Sequence, residues 1–408
     1  MERTILHCDL NGFYASVELL THPEYVNVPM AVGGDPESRH GIILAKNEPA
    51  KQFGVKTAET IWQAKKKCPH LVILPPHHHE YHKYSQIVNE IYYRYTDLIE
   101  PFGIDESFLD VTGVRNLFGD GKTIADILRA KVKQETGLTI SVGVSFNKTI
   151  AKLGSDYQKP DATTVITREN FQQIVHPLPV ESLLFVGRSA TAALNGMNIR
   201  TIGDLARSNR DVLIQRLGKM GEMIHDYANG IDDSPVRAAT DERGVKSIGN
   251  GLTFRRNLEG LEDIQVALTF LSDEVATRMR KYGVKCRAVS ITIKDINLKS
   301  ISRQRTLERP TQLARDLRDT ALSIIKASWN LHKPIRMLTV TGMNVIDENE
   351  TLEQLTLFDT PETNDKQERL EKTIDAIRGR FGRDAVGLGT ILQNDLGIGV
   401  HHDKPHSP

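Results

Sequence analysis

Hydrophobic and polar positions along the chain fall into three successive regimes. Up to about residue 165, short apolar runs of strand length alternate with stretches whose apolar residues recur at helical spacing. Thr4–Leu10, Pro29–Gly34, Gly41–Ala45, Leu71–Leu74, the segment around Asp105 and Leu138–Ser145 predict strands. Tyr14–Leu20, Asn47–Phe53, Thr60–Cys68, Tyr81–Ile99, Lys122–Glu135 and Lys148–Tyr157 predict helices, the third stopped by Pro69. This alternation predicts an α+β domain of the split β-α-β type.

From about Val180 to Gly230 strand signals vanish, leaving short helices around glycine turns at Gly196 and at Leu217–Gly221. Backbone N–H groups at such helix starts suit phosphate. A polar stretch bounded by turn formers, 231–244, predicts a linker. Beyond it the pattern runs strand, helix, strand, strand, helix, strand, with Ala288–Lys294 and Ile335–Met343 as alternating strands. After Asp347 an apolar plug sits in acidic sequence, a charged helix spans Lys366–Phe381, and a polar tail predicts disorder.

Composition changes this picture in three ways. With 408 residues the chain is too long for one core and predicts two to four domains. Its formal net charge of zero conceals 19 Lys and Arg against 11 Asp and Glu over 241–345, so one basic module is joined to a mildly acidic remainder. Cys8, Cys68 and Cys286 lie far apart without C-x-x-C spacing, which excludes a disulfide framework or zinc ribbon and predicts a reducing, cytoplasmic setting. No apolar run approaches a membrane span, and no secretory leader is expected. No P-loop or G-x-G-x-x-G turn occurs, and His77, His78 and His79 predict a solvated loop rather than a metal site.

The candidate chemistry lies in two acid-bearing strands, Ile5-Leu-His-Cys-Asp9 and Ile104-Asp105-Glu106-Ser-Phe-Leu-Asp110. An unpaired carboxylate in such an apolar run costs several kcal/mol, and converging oxygen donors suit a hard cation such as Mg²⁺. Alternation along a strand sends Asp105 and Glu106 to opposite faces, so a shared site needs a turn or bulge, which Gly103 permits.

These segments carry a resemblance. Asp9-Leu-Asn-Gly-Phe-Tyr-Ala-Ser-Val-Glu18, Ile104–Asp110, Ser141–Lys148, Lys152–Pro160 and Lys246–Gly249 together resemble the Y-family DNA polymerases, their DinB branch above all. The resemblance implies a right-hand fold: a ferredoxin-like palm (1–11 and 75–165), small fingers (12–74), a helix-hairpin-helix thumb (166–230), the linker, a basic α+β little finger (245–345) and a tail (346–408). It implies low-fidelity translesion synthesis, with two Mg²⁺ ions held by Asp9, Asp105, Glu106 and the Leu10 carbonyl. It implies substrate contacts from Phe13, from Tyr14 as the steric gate beneath the incoming sugar, and from Lys51 and Lys159 on the triphosphate. Glu48 and Lys51 stand where relatives often carry Tyr and Arg. The implied partners are primer-template DNA, deoxynucleoside triphosphates and the bacterial sliding clamp, the last through Gln354, Leu355, Leu357 and Phe358, with the chain acting as a monomer. Two rivals are a non-catalytic DNA-binding scaffold recruited to the clamp and a palm-fold nucleotide cyclase. The second leaves the helical and basic modules without a purpose.

Overall fold

The computed structural model describes residues 2–34, 41–238, 241, 244–350, 361–391 and 394–398. It divides into two compact units, with the boundary between Glu242 and Arg243.

The first unit opens with β1 (Ile5–Leu10) and α1 (Phe13–Thr21). A small three-stranded module follows: β2 (Met30–Gly33), β3 (Ile43–Lys46), α2 (Glu48–Gln52), α3 (Ile61–Lys67) and β4 (Val72–Leu74), in strand order β3-β2-β4. Its helices begin where side chains can cap them. Asn47 accepts from Ala50 N–H, and Thr60 forms a capping box with Gln63. The chain then builds α4 (His78–Tyr93), β5 (Ile99–Pro101), β6 (Glu106–Asp110), α5 (Arg115–Phe118), α6 (Gly121–Thr136), β7 (Ile140–Ser145), α7 (Lys148–Tyr157) and β8 (Thr163–Val165). The five palm strands run in the order β5-β6-β1-β7-β8, with β1 antiparallel to both β6 and β7.

Strand alternation gives this sheet two different faces. Leu6, Cys8, Leu10, Leu109, Val142 and Val144 turn to one side and bury against α4 and α6 through Val88, Ile91, Ile124, Leu128 and Val132. Ile5, His7, Asp9, Glu106 and Phe108 turn to the other, which α7 covers. The helix reaches this face because Gly143 has no side chain. A β-carbon there would lie 1.9 Å from the Ala151 carbonyl oxygen and 2.4 Å from Ser155 N.

The helical region is α8 (Phe171–Val175), α9 (Arg188–Gly196), α10 (Ile202–Arg207), α11 (Arg210–Leu217) and α12 (Lys219–Ala228), around a core that includes Val180, Leu194, Ile202, Leu205, Leu213 and Ile224. The second unit contains β9 (Ser247–Leu258), α13 (Gly260–Lys281), β10 (Val284–Lys294), β11 (Ser300–Thr311), α14 (Ala314–Ser328) and β12 (Ile335–Asp347), in strand order β11-β10-β12-β9. It matches the element order predicted from sequence, and α15 (Pro361–Phe381) is added to it.

Four expectations need correction. The helix expected to reach Ile99 stops at Tyr93, and Ile99–Pro101 pairs with β6 as the edge of the palm sheet. His77–His79 are exposed, as expected, but do not form a loop: His77 precedes α4, which starts at His78, and its ring meets the buried Glu18. The start of the expected linker is bound in place. Asp232 accepts from Thr149 N–H (3.1 Å) and Oγ1 (2.9 Å), and Val236 packs against Ile5, Phe108 and Ala151. Polar sequence is fixed here because the palm supplies partners for it.

The fourth concerns the expected tail, much of which belongs to the second unit. Arg280, nearly buried on α13, bonds Glu371 at 2.5 Å and Asp375 at 2.6 Å on α15, and Arg378 bonds Asp273 at 2.8 Å. Leu396 and Ile398 are buried in the core of the unit, and Arg255 N–H donates to the Leu396 carbonyl. Gln354–Phe358 lie outside the described residues. Among the described residues no helix is long and apolar enough to cross a membrane.

Candidate active site

Register brings the acids together. Asp9 on β1 is the direct partner of Glu106 on β6, so their side chains leave the same face a few ångströms apart. Asp105 precedes the strand. Its carbonyl accepts from Leu10 N–H at 3.0 Å, and the N–H groups of Phe102 and Gly103 both donate to the Glu106 carbonyl. These bonds close a turn just before β6, between Phe102 and Glu106.

The carboxylates are not left bare. Lys159 Nζ lies 2.8 Å from Asp9 Oδ2 and 2.7 Å from Asp156 Oδ1, while Lys152 Nζ lies 2.9 Å from Glu106 Oε2 and 3.8 Å from Asp9 Oδ2. Beneath them His7 is fully buried. Its Nδ1 meets Ser155 Oγ at 2.8 Å, and its Nε2 stands 3.3 Å from Glu106 Oε2.

The electrostatics follow from burial and from this sharing of charge. Burial first, and Glu106 among its neighbours, raise the Asp9 carboxyl to about 7 despite the pull of Lys159. Burial and then Glu106 also raise Asp105. For Glu106 burial opposes ionisation, but bonding to His7 and Lys152 prevails and holds it low, at about 2. Among the described residues no three carboxylate, imidazole or thiol side chains stand at metal-ligating spacing. With two lysine ammonium groups, the cluster is nevertheless a set of hard oxygen donors already organised around positive charge, which is the chemistry a divalent cation fits.

The aromatic residues separate into two roles. Phe13, expected among the substrate contacts, is buried in the palm core. Its ring is committed to that core because α1 turns position 13 toward the sheet, along with Val17. Tyr14, the next residue, is half-buried at the edge of the site. Burial first and the Asp105 carboxylate second raise its phenol, so ring and acid share one electrostatic environment. Lys51 stands apart from the acids on α2, exposed and paired with Glu48 at 3.2 Å. Lys159 reaches the acids directly.

Sequence reasoning missed Lys152, Asp156, His7 and Ser155. The spacing Lys152, Asp156, Lys159 was the available signal: i, i+4 and i+7 put three charges on one side of α7 and its C-terminal extension. His7 gave no signal, because a histidine in an apolar strand reads as core.

A palm sheet with acids at the heart of one face, joined to an all-helical module and a basic α+β module, defines the right-hand fold of the Y-family polymerases. The structure aligns with the Y-family DNA polymerase chimera Dbh-Dpo4(243-245)-Dbh at a TM-score of 0.74, covering 84% of this chain and 99% of that one at 22% identity. Family models match in the same order: the impB/mucB/samB family over residues 8–156, a DNA polymerase-iota thumb domain over 182–232 and the impB/mucB/samB C-terminal domain over 245–357. DNA polymerase IV of Acetivibrio thermocellus is 46% identical over 394 residues, 97% of this chain and 98% of its own. That of Pelotomaculum thermopropionicum is 39% identical, over 95% and 94%. The chain belongs to the DinB branch of the Y-family DNA polymerases.

Proposed function

We propose that the protein is a template-directed DNA polymerase of the DNA polymerase IV type, adding deoxynucleotides to a primer 3′-hydroxyl and copying past damaged bases. The observation that carries this reading is the pairing of Asp9 with Glu106 on one face of the palm, with Asp105 next to Glu106 and raised by its charge, and with Lys152 and Lys159 at the Glu106 and Asp9 carboxylates.

In this reading Asp9, Asp105, Glu106 and the Leu10 carbonyl would hold two Mg²⁺ ions, which would supply Lewis acidity toward the primer hydroxyl and positive charge against the triphosphate and pyrophosphate. The remaining steps belong to the chain. Lys159 exchanges Asp9 for a phosphate oxygen of the incoming nucleotide, a move available to a flexible ammonium. Tyr14 lies beneath the sugar and excludes a 2′-hydroxyl. Phe13 contributes backbone rather than ring. Lys51, paired with Glu48, is a peripheral charge on the triphosphate side.

The basic second unit holds the duplex through its phosphates, so affinity falls steeply with salt. Gln354, Leu355, Leu357 and Phe358 dock on the sliding clamp, and the protein works as a cytoplasmic monomer. Extension of a labelled primer on a template, with and without Mg²⁺, tests the reading. A metal-dependent ladder is expected, whereas a scaffold would bind the DNA and leave the primer at its starting length.

A further inference from the structure

Glu18 is almost fully buried on α1, only 3% exposed, and the chemistry above does not use it. It is not idle. Tyr81, fully buried on α4, donates its hydroxyl to Glu18 Oε1 at 2.5 Å, and His77 Nδ1 stands 3.0 Å from Glu18 Oε2. Burial first, and the bond to Glu18 next, keep the Tyr81 phenol protonated, so it remains the donor.

The Tyr81 ring lies flat against Tyr14, with centroids 3.9 Å apart and planes 12° from parallel, and the His78 ring meets both edge-on. Within this group, Tyr14 has a phenol that feels the Asp105 carboxylate. Its ring therefore rests on a surface whose position is fixed by a charge-assisted hydrogen bond inside the fold, held in turn by the first residue before α4.

We propose that Glu18 is a positioning residue for sugar selectivity: through Tyr81 it sets the height of the Tyr14 ring against the incoming nucleotide. This builds on the assignment of Tyr14 as the gate. A ring discriminates a 2′-hydroxyl by a fraction of its own thickness, so a support that yields by that amount lets a ribose in. A buried acid with only a structural role would alter stability and leave the choice of sugar untouched.

The test compares kcat/KM for a deoxynucleotide with that for its ribonucleotide, in single-nucleotide extension by the full chain. Tyr81→Phe keeps the stack and removes the anchoring hydroxyl, and is expected to cut the preference roughly tenfold, as losing a charge-assisted bond would if fully transmitted. Glu18→Ala is expected to lose the same factor, and Glu18→Gln, whose amide oxygen still accepts from Tyr81, to retain most of the preference. Glu18→Ala combined with Tyr81→Phe should lose no more than either alone, since both cut one link.

Preference within twofold of the parent in folded Tyr81→Phe and Glu18→Ala, while Tyr14→Ala abolishes it, overturns the inference and spares the gate. Losses that multiply in the double variant overturn it as well. An unchanged preference in Tyr14→Ala removes the gate assignment and the inference together.

Discussion

Asp9 and Glu106 face each other as register partners across β1 and β6, yet each leans on a different lysine: Lys159 at 2.8 Å for Asp9 and Lys152 at 2.9 Å for Glu106. Two acids on one face of an antiparallel pair repel, and the division of lysines is what makes their closeness tolerable. The sheet supplies the acids and α7 with its extension supplies the cations. Gly143 lets the two approach.

Lys152 should therefore be a placeholder for cationic charge. Replacing it in Lys152→Met leaves Glu106 without its ion pair in a mostly buried setting and should cost about 1–3 kcal/mol in denaturant unfolding. Added Mg²⁺ should raise the midpoint of this variant more than that of the parent. Equal shifts would show that lysine and metal do not share the same charge.

Sugar selectivity is the second expectation. Tyr14→Ala removes the half-buried ring at the edge of the site, and ribonucleotide incorporation relative to deoxynucleotide should rise on the order of 10- to 100-fold. Parallel single-turnover assays with the two nucleotides measure it, and an unchanged ratio returns the ring to the core.

A third concerns acid stability. Burial chiefly, outweighing the pull of Glu106, lowers His7 from 6.5 to about 4. The unfolded chain therefore binds more protons than the folded one between these values. The contribution of His7 is complete above pH 6.5 and is lost as pH falls toward 4. Asp9, raised to about 7, acts with the opposite sign over an overlapping range, so the parent alone would show a muted trend. The difference between the parent and His7→Gln isolates the imidazole. It should shrink by about 2 kcal/mol from pH 7 to pH 5, at roughly 1.4 kcal/mol per pH unit. A pH-independent difference would contradict this.

The second unit offers a fourth. Glu371 is buried and takes a hydrogen bond from Arg280 at 2.5 Å, so Glu371→Ala removes one of the two carboxylates, Glu371 and Asp375, that pair with a nearly buried guanidinium. The expected loss is about 3 kcal/mol of unfolding free energy. If α15 were a dispensable appendage, the variant would unfold with the parent.

Much of this was legible in the sequence, for identifiable reasons. Thr60 and Asn47 mark helix starts through their own side chains, and the alternation in Ile335–Met343 fixes a strand face. Asp9 and Glu106 stood out because a charge within an apolar run demands a partner. What stayed hidden depended on distant segments. Ile99 continues a helical pattern locally and becomes a strand because β6 offers an edge. Residues 231–236 read as a linker because their partners, Thr149 and Ile5, lie more than 80 residues away in the chain. Arg280 and Glu371 are each ordinary charged residues until α13 and α15 meet.

The central claim is that Asp9, Asp105 and Glu106 form one metal-dependent catalytic centre. The most direct measurement is primer extension with Mg²⁺ by the Asp105→Ala variant, alongside its affinity for the same primer-template. Extension is expected to fall on the order of a thousandfold or more while DNA affinity stays within a few-fold of the parent, since the proposed role of the acid is in the reaction and not in holding the duplex. Extension within tenfold of the parent by a folded, DNA-binding variant would contradict the account.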